Sequence, residues 1–249
     1  SVNNHNWYGL LSNLSLDVAD NWDVNIGFDG RTYTGDHFRQ LNDLLGLTSY
    51  QDNFGTDRPS DYSFTNEYEA DPWAALFSSA GEEDRYQYDY SETINYLGGF
   101  GQAEYSADGF SAFVQGAVST QSYQREGRFV GTSGDGLGKS EKVSKLGYNL
   151  KGGLGFDIDK QNALFFNSGF YSRQPFLDNI FKDIRNSNVL AFPNVENEEI
   201  TGLEAGYRLQ TNELRFNVDM YYSEWGNRFL SINGPQLDEG VFSTYRLTD

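Results

Sequence analysis

The sequence predicts an all-β fold, an antiparallel transmembrane β-barrel with short periplasmic turns and long extracellular loops. Three observations predict it: segments of alternating apolar and polar residues, short turns that join these segments in pairs, and long polar stretches between the pairs. Successive side chains of a strand point to opposite faces, so alternation gives each strand one apolar and one polar face. Outer-membrane barrels combine such strands with connections of unequal length.

Four pairs of segments carry this pattern. In the clearest pair, Leu146, Leu150 and Phe156 share one parity, whereas Lys151 and Asp157 occupy the other. The predicted pairs span Trp7–Thr34, Thr93–Tyr123, Leu146–Arg173 and Glu199–Tyr222, and a ninth strand is expected at Val241–Leu247. The predicted turns are Ala19–Asn21, Ala107–Gly109, Asp159–Asn162 and Thr211–Asn212. The glycine-rich strand before Ala107 has no clear parity, and Phe113 lies on the polar side of its own strand.

Aromatic residues mark both ends of the predicted apolar face. With the long loops placed at the top, the upper belt contains Tyr8, Tyr148 and Tyr222, and the lower belt contains Trp22, Phe110 and Phe156. Aromatic belts at the two interfaces are typical of lipid contact. An aromatic-rich soluble core has similar residues, so the unequal connections decide in favour of the barrel.

The longest connection runs from Gly35 to Ser91 and includes two helical-looking pieces, His37–Leu45 and Pro72–Phe77. Two further loops are predicted at Gly127–Val143 and Gln174–Glu198. Connections of this length are usually functional or disordered. The best candidates for substrate contact are aromatic and charged residues that the sequence places in or beside these loops: Trp73, Arg85, Tyr86, Tyr88, Arg173 and Trp225. Aromatic rings stack on sugars or planar chelates, and arginine forks bind carboxylates.

Composition excludes several functions. The net charge of −18 argues against a nucleic-acid partner, because 18 Lys and Arg residues are outnumbered by 36 Asp and Glu. The chain has no cysteine and only two histidines, His5 and His37, which lie far apart in the sequence. We therefore expect no catalytic site, no cofactor and no metal site. Loop carboxylates such as Asp57 with Asp61, or Glu82 to Asp84, leave a Ca²⁺ site open, although solvated charge is the favoured interpretation.

Three stretches resemble the barrel of a TonB-dependent outer-membrane receptor of the Bacteroidetes type. The first combines Asn6–Leu10 with Gly27–Tyr33 and Gly35–Arg39; the second is Phe170–Phe176; the third is Asn194–Glu199 followed by Gly202–Tyr207. A receptor of this family has a 22-stranded barrel with a plugged lumen. About eight strands are predicted here, so residues 1–249 are interpreted as part of one barrel domain without the plug domain.

The resemblance implies a non-enzymatic active transporter in the outer membrane of a Gram-negative bacterium. Its implied partners are outer-membrane lipid, a plug domain, the TonB energising complex and a surface lipoprotein. Its implied substrate is a scarce nutrient, such as a siderophore, oligosaccharide, vitamin or peptide. Two alternatives remain open: a passive outer-membrane pore or small structural barrel, and a soluble carbohydrate-binding β-sandwich.

Overall fold

The computed structural model describes residues 1–73, 77–191, 195–228, 230–238 and 241–247, and nearly all of its regular structure is β-strand. In chain order the strands are β1 (Val2–Ala19), β2 (Trp22–Gln40), β3 (Tyr50–Gln51), β4 (Ser63–Phe64), β5 (Arg85–Ala107), β6 (Phe110–Gly127), β7 (Gly138–Lys139), β8 (Val143–Asp157), β9 (Asn162–Arg173), β10 (Glu198–Gln210), β11 (Arg215–Gly226), β12 (Leu230–Asp238) and β13 (Val241–Leu247). One short 3₁₀ turn lies at Glu82–Asp84, and the helix α1 spans Leu177–Ile180.

One antiparallel sheet dominates the molecule. Its long strands follow the order β1-β2-β5-β6-β8-β9-β10-β11, so each pairs with its neighbours along the chain, and the two-residue β7 pairs with β6. Within the described residues β1 and β11 do not pair with each other, and the sheet is open. The four predicted strand pairs and their short turns are confirmed by this register.

The register also shows which residues of the glycine-rich strand β5 lie on the apolar face, a question that the sequence left open. Trp22 of β2 lies opposite Tyr105, and Tyr105 lies opposite Ala112 of β6, so the odd-numbered residues of β5 share the apolar face. Phe113 lies opposite Glu104 on the other face, as the sequence indicated. The lower aromatic belt therefore runs across neighbouring strands, since Phe110 pairs with Phe156 next to the turns, whereas Tyr148 of the upper belt pairs with Val118.

The apolar face is exposed, although its residues are large and hydrophobic. Leu150 is 59% exposed, Val114 52% and Met220 68%. The band covers about ten residues of each strand, which matches the roughly 25 Å apolar band of outer-membrane barrels. A soluble sandwich needs a second sheet over such a face; the other sheets in the described part of the chain are two-stranded. Within these residues the single large sheet favours the wall of a barrel over the sandwich alternative.

Three details differ from the sequence prediction. The strands continue beyond the apolar band, for example to Gln40 in β2 and back to Arg85 in β5, because polar residues keep the backbone ladder paired outside the membrane. The predicted helix at His37–Leu45 is wrong, since residues 37–40 complete β2 and residues 41–44 have no regular structure. Of the predicted piece Pro72–Phe77, residues 74–76 lie outside the described residues, and the described ends are turns.

The predicted ninth strand exists as β13 but pairs with β12 in a separate hairpin. No helix in the described ranges is long and apolar enough to cross a membrane.

Candidate substrate-binding site at the outer end of the sheet

The long loops gather at one end of the sheet, above the apolar band, and one of them folds over the polar face. The apolar side of this loop packs Leu177, Ile180 and Phe181 against Tyr123 of β6, and all four side chains are at least 96% buried. Ile94 of β5 borders the same cluster. Since Tyr123 and Ile94 lie on the face opposite the lipid band, this loop covers the lumenal face of the wall.

Arg125 fastens this loop to the sheet. Its guanidinium is buried and donates hydrogen bonds to the carbonyl oxygens of Ile184, Arg185 and Gly136, and to Asn188 Oδ1, at 2.6–2.8 Å. Burial lowers the pKa of Arg125, and the nearby Tyr90 and Asp183 oppose that shift. One side chain of β6 thus links two extracellular loops, those that follow β6 and β9.

A second cluster joins the upper part of β5 to the start of the loop after β6. Asp89 is 99% buried and accepts hydrogen bonds from Arg85 at 3.0 Å and from Arg128 at 2.9 Å. Burial raises the pKa of Asp89, because the loss of hydration outweighs the attraction of the two arginines. Arg85 also lies over the ring of Phe38, 3.9 Å from its centroid. These contacts tie the upper part of β5 to β2 and to the segment that follows β6.

A bulge explains the placement of three predicted contact residues. Between β2 and β5 the register shifts after Phe38, and Gln87 adopts a positive φ of 63°. Arg85, Tyr86 and Tyr88 therefore lie at the top of strand β5, not in a free loop. Tyr88 is 93% buried and its hydroxyl donates to Ser1 Oγ.

Two other predicted residues, Arg173 and Trp225, are linked through Glu198 and Arg228. Arg173 ends β9 and pairs with Glu198, which Arg228 also approaches at 4.0 Å. Arg228 lies 5.8 Å from the ring centroid of Trp225. Arg173, Glu198 and Arg228 help to line a cavity of about 170 Å³. The remaining candidate, Trp73, is 78% exposed. The six residues thus form two groups and a separate residue, and their role in substrate contact stays a prediction.

The sequence analysis missed a third group, which surrounds Gly35 on the lumenal face. Gly35 of β2 lies opposite His5 of β1 on one side and opposite Glu92 of β5 on the other. Tyr33 and His37, the next residues of β2 on the same face, both lean over the glycine, where a Cβ atom would collide with them. The chain thus brings both of its histidines together, with ring centroids 5.5 Å apart.

Hydrogen bonds and burial define this histidine group further. His5 Nδ1 lies 2.7 Å from the Tyr33 hydroxyl, and His37 Nδ1 lies 2.7 Å from Asn3 Oδ1. His37 Nε2 lies 3.4 Å from Glu92 Oε1. Burial raises the pKa of Asp178 of α1, and the negative charge of the nearby Glu92 raises it further. Among the described residues no group of three or more His, Asp or Glu side chains is already arranged around one metal position.

A larger cavity of about 560 Å³ opens beside His5. It is lined by Ser1, by residues 2–5 of β1 and by Gln40, Asn42 and residues 69–72, including Glu69 and Asp71. Of the two histidines, His5 lines this cavity.

The comparisons with known proteins bear on the fold. No protein-family model matches the chain, and no curated protein matches it by sequence. Among 14 solved chains that match it in structure is the copper transporter OprC, with a TM-score of 0.61 and 13% identity. The match covers 99% of this chain and 33% of that chain, so the protein spans about a third of the length of its structural relative. At this identity the likeness concerns the fold, and the chain has the antiparallel fold of an outer-membrane β-barrel.

Proposed function

We propose that the chain is part of the barrel of a TonB-dependent active transporter in the outer membrane of a Gram-negative bacterium. The observation that carries the proposal is the combination of an exposed apolar face with a lumenal face that an ordered extracellular loop covers. A passive pore needs an open lumen, whereas an active importer closes its lumen and opens it when energised. The resemblance to the Bacteroidetes-type receptors and the likeness to a transporter support the same assignment.

The cargo is a scarce nutrient captured by the extracellular loops. The classes to test are siderophores, oligosaccharides, vitamins and peptides, and the name of the structural relative adds copper. In the complete transporter a plug domain would occupy the lumen, the TonB complex would supply energy, and a surface lipoprotein would assist capture.

Two measurements on the complete parent protein test this function. In planar bilayers an importer with a plug gives no steady conductance, and the purified protein retains the soluble domain of TonB on an affinity column. Steady single-channel currents together with no retention of TonB would contradict active import and support the passive pore instead.

A further inference from the structure

A row of five side chains lies where strands β9, β10 and β11 meet at the outer end of the sheet. Arg173, the last residue of β9, lies opposite Glu198, the first residue of β10, and the two form an ion pair. Arg228, just beyond β11, approaches the other carboxylate oxygen of Glu198 at 4.0 Å. The guanidinium carbon of Arg173 lies 5.4 Å from the ring centroid of Phe176, and that of Arg228 lies 5.8 Å from the ring centroid of Trp225. Glu198 thus contacts two arginines, each of which lies beside an aromatic ring.

The row faces the lumen. The odd-numbered residues of β9, which pair with Lys151 and the other lumenal residues of β8, include Arg173. Trp225 of β11 lies opposite Ile200, which has the same parity in β10 as Glu198. Since alternate residues of a strand share a face, Arg173, Glu198 and Trp225 all lie on the lumenal side. Cargo that enters the lumen from the outer side therefore passes this row.

The cavity of about 170 Å³ opens beside the row. Its lining includes Arg173, Phe176, Glu198 and Arg228 of the row, together with Asn179 and Glu196. Pockets that enclose a whole drug-sized ligand have volumes of about 300–1,000 Å³, so this cavity accommodates one unit of a larger ligand. Guanidinium, carboxylate and amide groups each offer at least two hydrogen-bonding atoms. Such groups match the neighbouring hydroxyl groups of a sugar ring.

The charges around the cavity cancel. Arg173 and Arg228 contribute two positive charges. Glu196 and Glu198 contribute two negative charges, so the lining gives no net preference to an anionic or a cationic ligand. Glu198 is 92% buried, and its Oε2 atom accepts no hydrogen bond among the described residues, although Arg173 lies beside it as an ion-pair partner. A hydroxyl group both donates to a carboxylate and accepts from a guanidinium, whereas an ammonium group only donates and a carboxylate only accepts. A neutral ligand rich in hydroxyl groups therefore fits the cavity.

The cavity also presents an apolar ring on an ordered segment. Phe176 is 67% exposed, so most of its ring is free to pack against the C–H face of a sugar. The two residues before it are held by β6. The Tyr123 hydroxyl donates to the carbonyl oxygen of Pro175 at 2.5 Å, and Gln174 Nε2 donates to Ser119 Oγ at 2.8 Å. Because this segment is ordered before a ligand arrives, less free energy is lost in fixing it on binding.

We propose that this cavity binds one sugar ring of a neutral oligosaccharide at the outer mouth of the lumen. The sugar packs against Phe176, and its hydroxyl groups form hydrogen bonds with Glu198 and with the two arginines. The proposal names the class of cargo and in that respect rests on the proposed import function, whereas the binding itself does not.

The test measures oligosaccharide binding by the complete parent protein in lauryldimethylamine oxide, a detergent without a sugar headgroup. The probes are six neutral hexasaccharides, each titrated alone by calorimetry: maltohexaose, cellohexaose, laminarihexaose, mannohexaose, xylohexaose and chitohexaose. At least one of them should bind. Phe176→Ala and Glu198→Gln should each weaken its affinity about tenfold or more, since each variant removes a direct contact with the sugar.

Two controls match these variants. Phe54→Ala removes a ring that is 56% exposed in the loop after β2. Glu213→Gln makes the same change of charge as Glu198→Gln, but at an exposed turn residue on the other end of the sheet. Both controls should leave the affinity unchanged. The gel mobility of the unheated protein checks the folding of every variant, and the exposed position of Phe176 makes its removal compatible with the fold.

Binding of none of the six hexasaccharides, or equal affinity in the parent protein and in folded Phe176→Ala, would overturn the site. Trialanine or hexagalacturonate that binds more tightly than every neutral hexasaccharide would refute the assigned ligand class. Energy-dependent uptake of the bound hexasaccharide by cells, slowed in Phe176→Ala, supports it as cargo. Binding without uptake would refute the cargo assignment, and retention of TonB by the same protein would then leave the import function standing.

Discussion

Replacing Gly206 by alanine tests how the lumenal face is packed. Gly206 of β10 lies opposite Phe165 of β9, and the outer edge of the phenyl ring lies over the glycine. A Cβ atom at position 206 would collide with that ring and would lie 2.6 Å from Asp219 Oδ1. The ring must therefore turn away, and it would lose the guanidinium of Arg208, which lies 4.8 Å from its centroid.

The expected cost follows from these contacts. Overpacking costs about 1–3 kcal/mol, and the lost cation–π contact adds about 0.5–1 kcal/mol. The reduced entropy of the unfolded chain returns about 0.4–1 kcal/mol. We expect a net destabilisation of about 2 kcal/mol, within limits of about 0.5 and 3.5 kcal/mol, and 2 kcal/mol lowers the ratio of folded to unfolded protein roughly 30-fold.

The same strand supplies a matched control. Gly202 lies on the same face of β10, and a Cβ atom there would meet nothing within 4 Å. Gly202→Ala should therefore be neutral or stabilising by up to about 1 kcal/mol. Urea unfolding of the parent protein in lipid vesicles measures both variants. The double variant Gly206→Ala with Phe165→Val should recover at least about 0.5 kcal/mol, since the two sites are in contact. Equal stabilities of the two alanine variants would refute the account of the packing.

Three further changes test the faces, the loops and the pH dependence. Val114→Lys places a charge in the middle of the apolar band and should cost about 2–4 kcal/mol in vesicle unfolding. The control Gln115→Glu places a charge on the lumenal face opposite Lys151 and should not destabilise the protein, since opposite charges across two strands attract each other. Equal costs of the two variants would contradict the assignment of faces. Arg125→Met leaves buried carbonyl groups without hydrogen-bond donors, and each such group costs about 1–3 kcal/mol of stability. Limited trypsin digestion should therefore cut the loop after β9 at least tenfold faster. An unchanged rate of digestion would contradict the role of the arginine. Partial burial raises the pKa of the Asp52 carboxyl group. Hydrogen bonds from the Phe54 amide and from two side chains have the larger combined effect, so the pKa is lowered overall. The stabilisation by ionised Asp52 is therefore present above the unfolded pKa and is lost as the pH falls through the lower folded value. Hydrogen exchange of residues 50–64 should rise in that acid range in the parent protein and not in Asp52→Asn, and identical pH profiles would oppose this reasoning.

The apolar face was predictable from the sequence because its period of two is a local property. The positions of Leu150 and Val114 follow from alternation alone, and both are confirmed. The upper ends of the strands were not predictable, since residues such as those at Arg85 and Gln40 are polar on both faces and leave no alternation. Their pairing depends on the neighbouring strand.

The candidate site was harder to predict for a related reason. His5 and His37 are distant in sequence, and only the register of β1 with β2 places them together. One signal was available: if the hairpin is folded about its turn at Ala19–Asn21, His5 falls opposite Gly35, two residues from His37. The buried role of Arg125 had no such signal, because its partners are carbonyl groups of a loop without periodicity.

A cysteine scan of β8 with spin labels tests the central claim most directly. The chain has no cysteine of its own, which leaves a clean background in this segment. In residues 146–156 of the parent protein in bilayers, labels at even positions should show high accessibility to oxygen, with a maximum near Leu150. Labels at odd positions such as Lys151 should show low accessibility to oxygen. Accessibility without a period of two, or with its maxima at the odd positions, would contradict the membrane-facing assignment of the sheet.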